Sequence, residues 1–205
     1  VIGEYPIQAD GSFQDYDFSK TKGVVIGNGN FFHVKNMIFC GTEKNTIIGN
    51  GNKILCECHI NHDCWIGNNV TLYPRVTLAG FVSCLDNSSI GGASFVHQRK
   101  VIGQYSMIGA NNFVGKNVFP YFVFINNKIT RLHYVKLIDE VKSYENKLIK
   151  LSNDYYEKKD IAFDELSDEI VGNIKIFLEY KWFTENQHYY KINLFAHGYE
   201  QCYNF

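Results

Sequence analysis

The run CECHINHDC places Cys56, Cys58, His59, His62 and Cys64 within nine residues, with Asp63 directly after His62. Those residue types allow two chemistries. Thiolates and imidazoles at close spacing can hold zinc. A histidine is also the side chain best suited to take a proton from an alcohol near neutral pH. The chain's periodicity bears on the choice, because it assigns Cys58 and Cys64 to a column of small, packed side chains. Inert thiols are therefore expected, two of the five candidate ligands drop out, and no metal is assigned. His62 remains as a candidate base, its ordinary alternative being a polar residue on an exposed face. Asp63 is its candidate partner, although neighbouring residues on a strand point oppositely. The pairing therefore needs a corner in the backbone or a neighbouring subunit.

The element that must position these residues is a repeat. Stepping by six from Ile48 gives Ile54, Ile60, Ile66, Leu72, Leu78, Cys84, Ile90, Val96, Ile102, Ile108, Val114 and Pro120, all but Cys84 and Pro120 aliphatic. Glycine often follows, as at Gly49, Gly67, Gly91, Gly103, Gly109 and Gly115. Two positions before each aliphatic residue the side chain is mostly small, as at Thr46, Cys58, Cys64, Val70, Val76, Val82, Ser88, Ser94, Ser106 and Val118. Neither a helix nor an ordinary strand has this period. It fits a short strand plus a turn, three of which close a triangular coil of about eighteen residues. His62, Gly80 and Gln98 are eighteen apart and so stack on successive coils, about 4.8 Å from one to the next. Ile26, Phe32 and Ile38 keep the beat in another register, joined through about four extra residues near 40–45 that read as a small loop at one corner. A longer irregular loop is expected over 4–23, and the solenoid is expected to begin mid-coil.

After Pro120 the spacing turns helical. Leu132, Val135, Ile138, Val141, Leu148 and Leu151 predict a helix over about 130–151, and Leu166, Ile170, Ile174 and Phe177 predict a second over about 161–182. The expected organisation is a mainly β solenoid over 1–125 and a helical region with an aromatic tail over 126–205. Apolar residues make up 45% and charged residues 20% of the chain, with a formal net charge of −1, which excludes a disordered tail and the basic field that nucleic acid requires. No apolar run reaches the roughly 18–20 residues of a transmembrane helix. The N-terminal VIGEYPIQAD lacks the basic head and apolar middle of a signal peptide, and six cysteines are too few for a disulfide scaffold, so a cytoplasmic chain with reduced thiols is expected.

The solenoid resembles the hexapeptide-repeat acyltransferases, whose coils form a left-handed parallel β-helix. Within them, CHINHDCWIGNNVTLYPRVTLAGFV, SIGGASFVHQRKVIG and VFPYF are similar to the signature of the UDP-N-acetylglucosamine O-acyltransferases of lipid A synthesis. The resemblance implies a homotrimer with active sites between neighbouring solenoids. It puts His62 on the catalytic base, Asp63 on its partner, and Gly80 where a backbone N–H stabilises an oxyanion. Asp15, His59, His97 and Gln98 fall on pocket positions, and Ala110 falls where some relatives have a glycine that admits a long acyl chain. The spacing of His59, His62 and His97 does not match the three-histidine metal site of hexapeptide-fold carbonic anhydrases. Phe81 replaces a histidine, Asp17 a lysine, and TRLHYVKLIDE stands in place of a basic run that grips the nucleotide.

The expected activity is transfer of a short or medium acyl group from acyl-CoA or acyl-carrier protein to a hydroxyl of a sugar or nucleotide-sugar, with no tightly bound cofactor. Arg75, Arg99, Lys100 and Lys116 offer a positive rim to a phosphopantetheine donor. Two other readings are an N-acyltransferase acting on a nucleotide-linked amino sugar and a non-catalytic trimeric scaffold.

Overall fold

A computed structural model describes residues 1–5, 22–133 and 139–185, the side chains of 181–185 excepted. Its solenoid is a left-handed parallel β-helix of three sheets. The first sheet contains Ile2–Glu4, Met37–Phe39, His59–Ile60, Thr77–Leu78, Phe95–Val96 and Phe113–Val114. The second contains Val24–Ile26, Thr46–Ile48, Trp65–Ile66, Ser83–Cys84 and Val101–Ile102. The third runs from Phe31–Phe32 through Lys53–Ile54, Thr71–Leu72, Ser89–Ile90 and Met107–Ile108 to Phe122–Ile125 and Lys128–Leu132. Ladder partners lie eighteen residues apart through the middle coils, as in His59↔Thr77↔Phe95, and sixteen apart in the last coil, as in Ile108↔Phe124. They lie twenty-two apart across the loop at 41–45, as in Ile38↔Ile60.

The six-residue beat is the core. Ile54, Ile60, Ile66, Leu72, Leu78, Cys84, Ile90, Val96, Ile102, Ile108 and Val114 are wholly buried, and the small column of Cys58, Cys64, Val70, Val76 and Val82 fills the space behind the corners. At each corner a residue three positions after the aliphatic one takes a left-handed conformation, as at Asp63, Phe81 and Arg99 (φ 61°, 62° and 60°). The glycines that follow the aliphatic residues serve close approach instead. A Cβ on Gly91 would stand 2.5 Å from the Ala110 nitrogen on the next coil.

The chain after Pro120 differs from the sequence expectation. Lys128–Leu132 is a strand, antiparallel to Phe122–Ile125, where a helix was expected from about residue 130. Asn126 and Asn127 both have positive φ (52° and 61°), the conformation of a two-residue hairpin turn that suits asparagine. The helices are α1 (Asp139–Ser143), α2 (Glu145–Tyr156) and α3 (Asp168–Glu185), so α3 begins seven residues later than the spacing predicts. Val135 and Ile138 lie outside the described residues, as does the aromatic tail after Glu185.

The helices cover the outer face of the second sheet. Phe177 packs on Phe119 and Tyr155, with ring centroids 5.5 and 5.3 Å away, and Tyr180 meets Trp65 at 5.9 Å. Outward-facing Trp65, Ser83 and Val101 are consequently buried, so this part of the sheet is covered on both sides. The outer face of the first sheet stays open. No described helix is long and apolar enough to cross a membrane.

Candidate active site

The covered second sheet and the open first sheet meet at a corner built by residues 61–64, 79–82 and 97–100 on successive coils. His62, Gly80 and Gln98 occupy equivalent positions there and form the column expected from their spacing. The neighbouring positions form a second column of Asp63, Phe81 and Arg99. Backbone bonds tie the coils together: Phe81 N–H donates to the His62 carbonyl and Arg99 N–H to the Gly80 carbonyl, each at 3.0 Å.

His62 and Asp63 pair within one chain. The corner rotates the two side chains out of strand alternation, and His62 Nδ1 donates to Asp63 Oδ2 at 2.8 Å. The aspartate side chain is fully buried while the imidazole keeps 27% exposure, so the pair has one sealed end and one open end. The loop at 41–45 closes the sealed end. Thr42 N–H (3.0 Å) and Oγ1–H (2.6 Å) donate to Asp63 Oδ2, and Glu43 N–H (2.9 Å) and Lys44 N–H (2.7 Å) donate to Oδ1. Asp63's own N–H donates to Thr46 Oγ1 at 2.9 Å. Burial by itself would raise the Asp63 pKa. The bonds from His62, the Lys44 amide and Thr42 outweigh it and hold the carboxyl at about 2.

An ionised Asp63 can only accept hydrogen bonds, so the Nδ1 proton is fixed and the neutral imidazole presents Nε2 as its basic atom. That atom lies against Gly80, where a Cβ would stand 2.7 Å from Nε2 and 2.6 Å from Cε1. The space that the missing Gly80 side chain leaves is thus filled by the imidazole. Glycine is required there by the ring itself. Among the described residues the Gly80 N–H has no acceptor within the chain. Phe81 meets His62 edge to face at 5.3 Å and 89°, bounding the imidazole on that side.

The other candidates are more spread. His59 projects from the first sheet beside this corner, half-buried and stacked on Phe39 at 4.9 Å; burial lowers its pKa, partly offset by a hydrogen bond with the Asn61 side chain. His97 and Gln98 are exposed at the corner two coils on from His62, with His97 edge to face with Phe113 at 6.0 Å. Ala110 is not brought to His62. It is exposed on the opposite edge of the first sheet, at the corner preceding Phe113–Val114. Asp15 lies outside the described residues, and so does Asp17. Cys58 and Cys64 point into the core, where burial pushes their thiols up to about 11 and about 12. Among the described residues no group of three histidine, cysteine or acidic side chains is placed to hold a metal ion.

Sequence reasoning missed Thr42, Thr46 and the amides of residues 42–44. Their signal was the four-residue slip in register. It showed that a loop left the solenoid but gave no hint that the loop folds back over Asp63.

Residues 45–80 match the family described as bacterial transferase hexapeptide (six repeats). The acyl-[acyl-carrier-protein]–UDP-N-acetylglucosamine O-acyltransferase of Burkholderia orbicola is 38% identical over 132 residues, covering 62% of this chain and 50% of that protein. The enzyme of the same name from Helicobacter pylori is 37% identical over 108 residues, covering 51% and 40%. Among solved structures, the UDP-N-acetylglucosamine acyltransferase from Campylobacter jejuni superposes with a TM-score of 0.68 at 26% identity, covering 87% of this chain and 72% of that one. The resemblance read from the sequence, to hexapeptide-repeat acyltransferases and to the UDP-N-acetylglucosamine O-acyltransferases among them, therefore holds. The chain spans about half the length of the Burkholderia relative.

Proposed function

We propose that this chain is an O-acyltransferase that moves an acyl group from the thioester of an acyl carrier protein to a hydroxyl of a nucleotide-sugar. The observation that carries the reading is the His62–Asp63 pair, 2.8 Å apart, with its imidazole against the Gly80 backbone. The names of the similar enzymes support the choice of donor and make UDP-N-acetylglucosamine the first acceptor to try.

In this reading His62 Nε2 takes the hydroxyl proton as the oxygen attacks the thioester carbonyl. The carbonyl oxygen becomes an oxyanion that accepts from the Gly80 N–H, and Asp63 stabilises the imidazolium. Collapse of the tetrahedral intermediate breaks the C–S bond, and the imidazolium returns its proton to the departing thiolate. No cofactor enters the balance. Asp15, His59, His97 and Gln98 are proposed to line the pocket for acceptor and donor.

The chain is further proposed to act as a homotrimer. On the open first sheet Met37, Phe95 and Phe113 are 38%, 39% and 59% exposed, and the two phenylalanine rings stack at 5.8 Å. Such an apolar strip beside the His62 corner suits a subunit boundary that would close the site. Light scattering should give three times the chain mass.

The deciding experiment compares wild type with His62→Ala, using acyl-carrier protein loaded with acyl groups and UDP-N-acetylglucosamine. Turnover should fall by two or more orders of magnitude with folding unchanged. Wild-type rates in the variant would defeat the assignment. Product formed only on amine acceptors would favour N-acyl transfer, and no binding of any donor would favour a scaffold.

A further inference from the structure

Arg99 sits on the same corner as His62, where the sequence alone placed it only on a positive rim for the donor. Its backbone is pinned to Gly80 by the 3.0 Å bond already described, and its guanidinium carbon lies 4.3 Å from the centroid of the Phe81 ring. Phe81 in turn lies 5.3 Å from the His62 ring. Laid end to end, these two steps put the guanidinium within roughly 10 Å of the imidazole. A guanidinium held over an aromatic face is fixed in place yet keeps N–H donors at its edge, the arrangement that binds phosphate bidentately.

Local charge points the same way. Among the described residues Arg99 makes no ion pair with a carboxylate. The nearest carboxylate in the column, Asp63, is fully buried and already accepts from Thr42, Glu43, Lys44 and His62. Lys44 approaches from the loop. Burial lowers its pKa, the charges of Asp63, Cys64 and Glu43 raise it and the Arg99 charge lowers it, so Asp63 and Glu43 stand near Lys44 while Arg99 pairs with neither.

The geometry points to Arg99, seated on Phe81, as the residue that receives the glycosyl phosphate of the acceptor sugar while one of its hydroxyls lies at His62. This rests on the proposed acyl transfer to a nucleotide-sugar. Distance separates the two phosphates available. A pyranose ring sets its anomeric phosphate one ring's breadth from a ring hydroxyl. A pantetheine arm holds its phosphate a whole extended arm from the thioester. Only the first can reach Arg99 while the reacting atoms are at His62. Phe81 and Arg99 then act as a unit, the aromatic face orienting the cation.

The test uses Arg99→Met and Arg99→Lys in the full chain, with UDP-N-acetylglucosamine and its phosphate-free counterpart, the methyl glycoside, as acceptors. Arg99→Met should raise KM for the UDP-sugar tenfold or more, with kcat within about threefold of wild type. The methyl glycoside should react equally poorly with both proteins, and Arg99→Lys should recover part of the loss. A KM increase confined to the acyl donor would assign the cation to the pantetheine phosphate and overturn the proposal. Equal losses on both acceptors would overturn it as well. If no acyl transfer occurs at all, the proposed activity fails separately, and calorimetric titration decides the subsite. Weaker binding of UDP-N-acetylglucosamine to Arg99→Met than to wild type supports it. Unchanged binding, or none to wild type, overturns it.

Discussion

The imidazole of His62 lies so close to Gly80 that a methyl group there would meet Cε1 at 2.6 Å and Nε2 at 2.7 Å. Base and proposed oxyanion donor are thus in contact across one coil step, and the missing side chain brings them together. Gly80 has no positive φ, so alanine fits its backbone, and the cost falls on the histidine. Gly80→Ala should therefore lower kcat by at least a hundredfold while the protein stays folded. Circular dichroism and steady-state rates measured on the same preparation check this. A rate within threefold of wild type would show that the ring can move aside and still work.

Asp63 gives the protein a particular response to acid. Its folded pKa of about 2 lies below the ordinary 3.8, so the ionised carboxylate favours the folded chain at pH values above about 4. The contribution, roughly 2 kcal/mol in full, fades as the pH falls through 4 towards 2. Asp63→Asn removes the titrating group. Between pH 6 and pH 3 the wild type should lose about 1 kcal/mol more stability than the variant, read from urea unfolding midpoints. Matching pH dependence in both proteins would mean that the loop at 41–45 does not depend on the charge it encloses.

How much of this was legible in the sequence depended on whether a feature repeats. The core column from Ile48 to Val114 recurs every six residues, and any one position could be checked against its neighbours eighteen away. Stacking of His62, Gly80 and Gln98 followed from the same arithmetic. Features that occur once were harder. The pairing of Asp63 with His62 depends on a left-handed corner residue, which strand alternation alone argues against. The strand Lys128–Leu132 was hidden because Leu132 and Val135 share a helical spacing, whereas the Asn126–Asn127 turn that decides the structure is a two-residue signal. Contact between Arg99 and Phe81 needed both the eighteen-residue step and the direction of two long side chains, and only the first is written in the spacing.

The thiols supply a prediction independent of catalysis. Cys58, Cys64 and Cys84 are almost fully buried, and burial raises all three pKa values. Reactivity with alkylating agents requires an accessible thiolate. In the native protein, iodoacetamide at pH 8 should leave these three unmodified for hours, and denaturant should expose them together. Peptide mass spectrometry reads the sites directly. Rapid native labelling of Cys64 would show that the corner behind Asp63 opens, which contradicts a tightly held catalytic pair.

Ala110 and His62 occupy opposite edges of the first sheet, and the exposed rings of Phe95 and Phe113 lie between those edges. An acyl chain whose thioester is at the His62 corner can run over this apolar strip, and its far end then arrives near Ala110. Ala110 is exposed there, so it would meet that end directly. On this reading Ala110→Gly should raise kcat/KM for fourteen-carbon donors relative to four-carbon donors, by about fivefold or more. Room to bury one further methylene is worth roughly 1 kcal/mol, which sets that scale. Phe113→Ala removes part of the track and should weaken long donors more than two-carbon ones. Competition between acyl-carrier proteins loaded with two-, four- and fourteen-carbon chains measures both ratios in one reaction. An unchanged chain-length profile in Ala110→Gly would place the end of the acyl chain elsewhere.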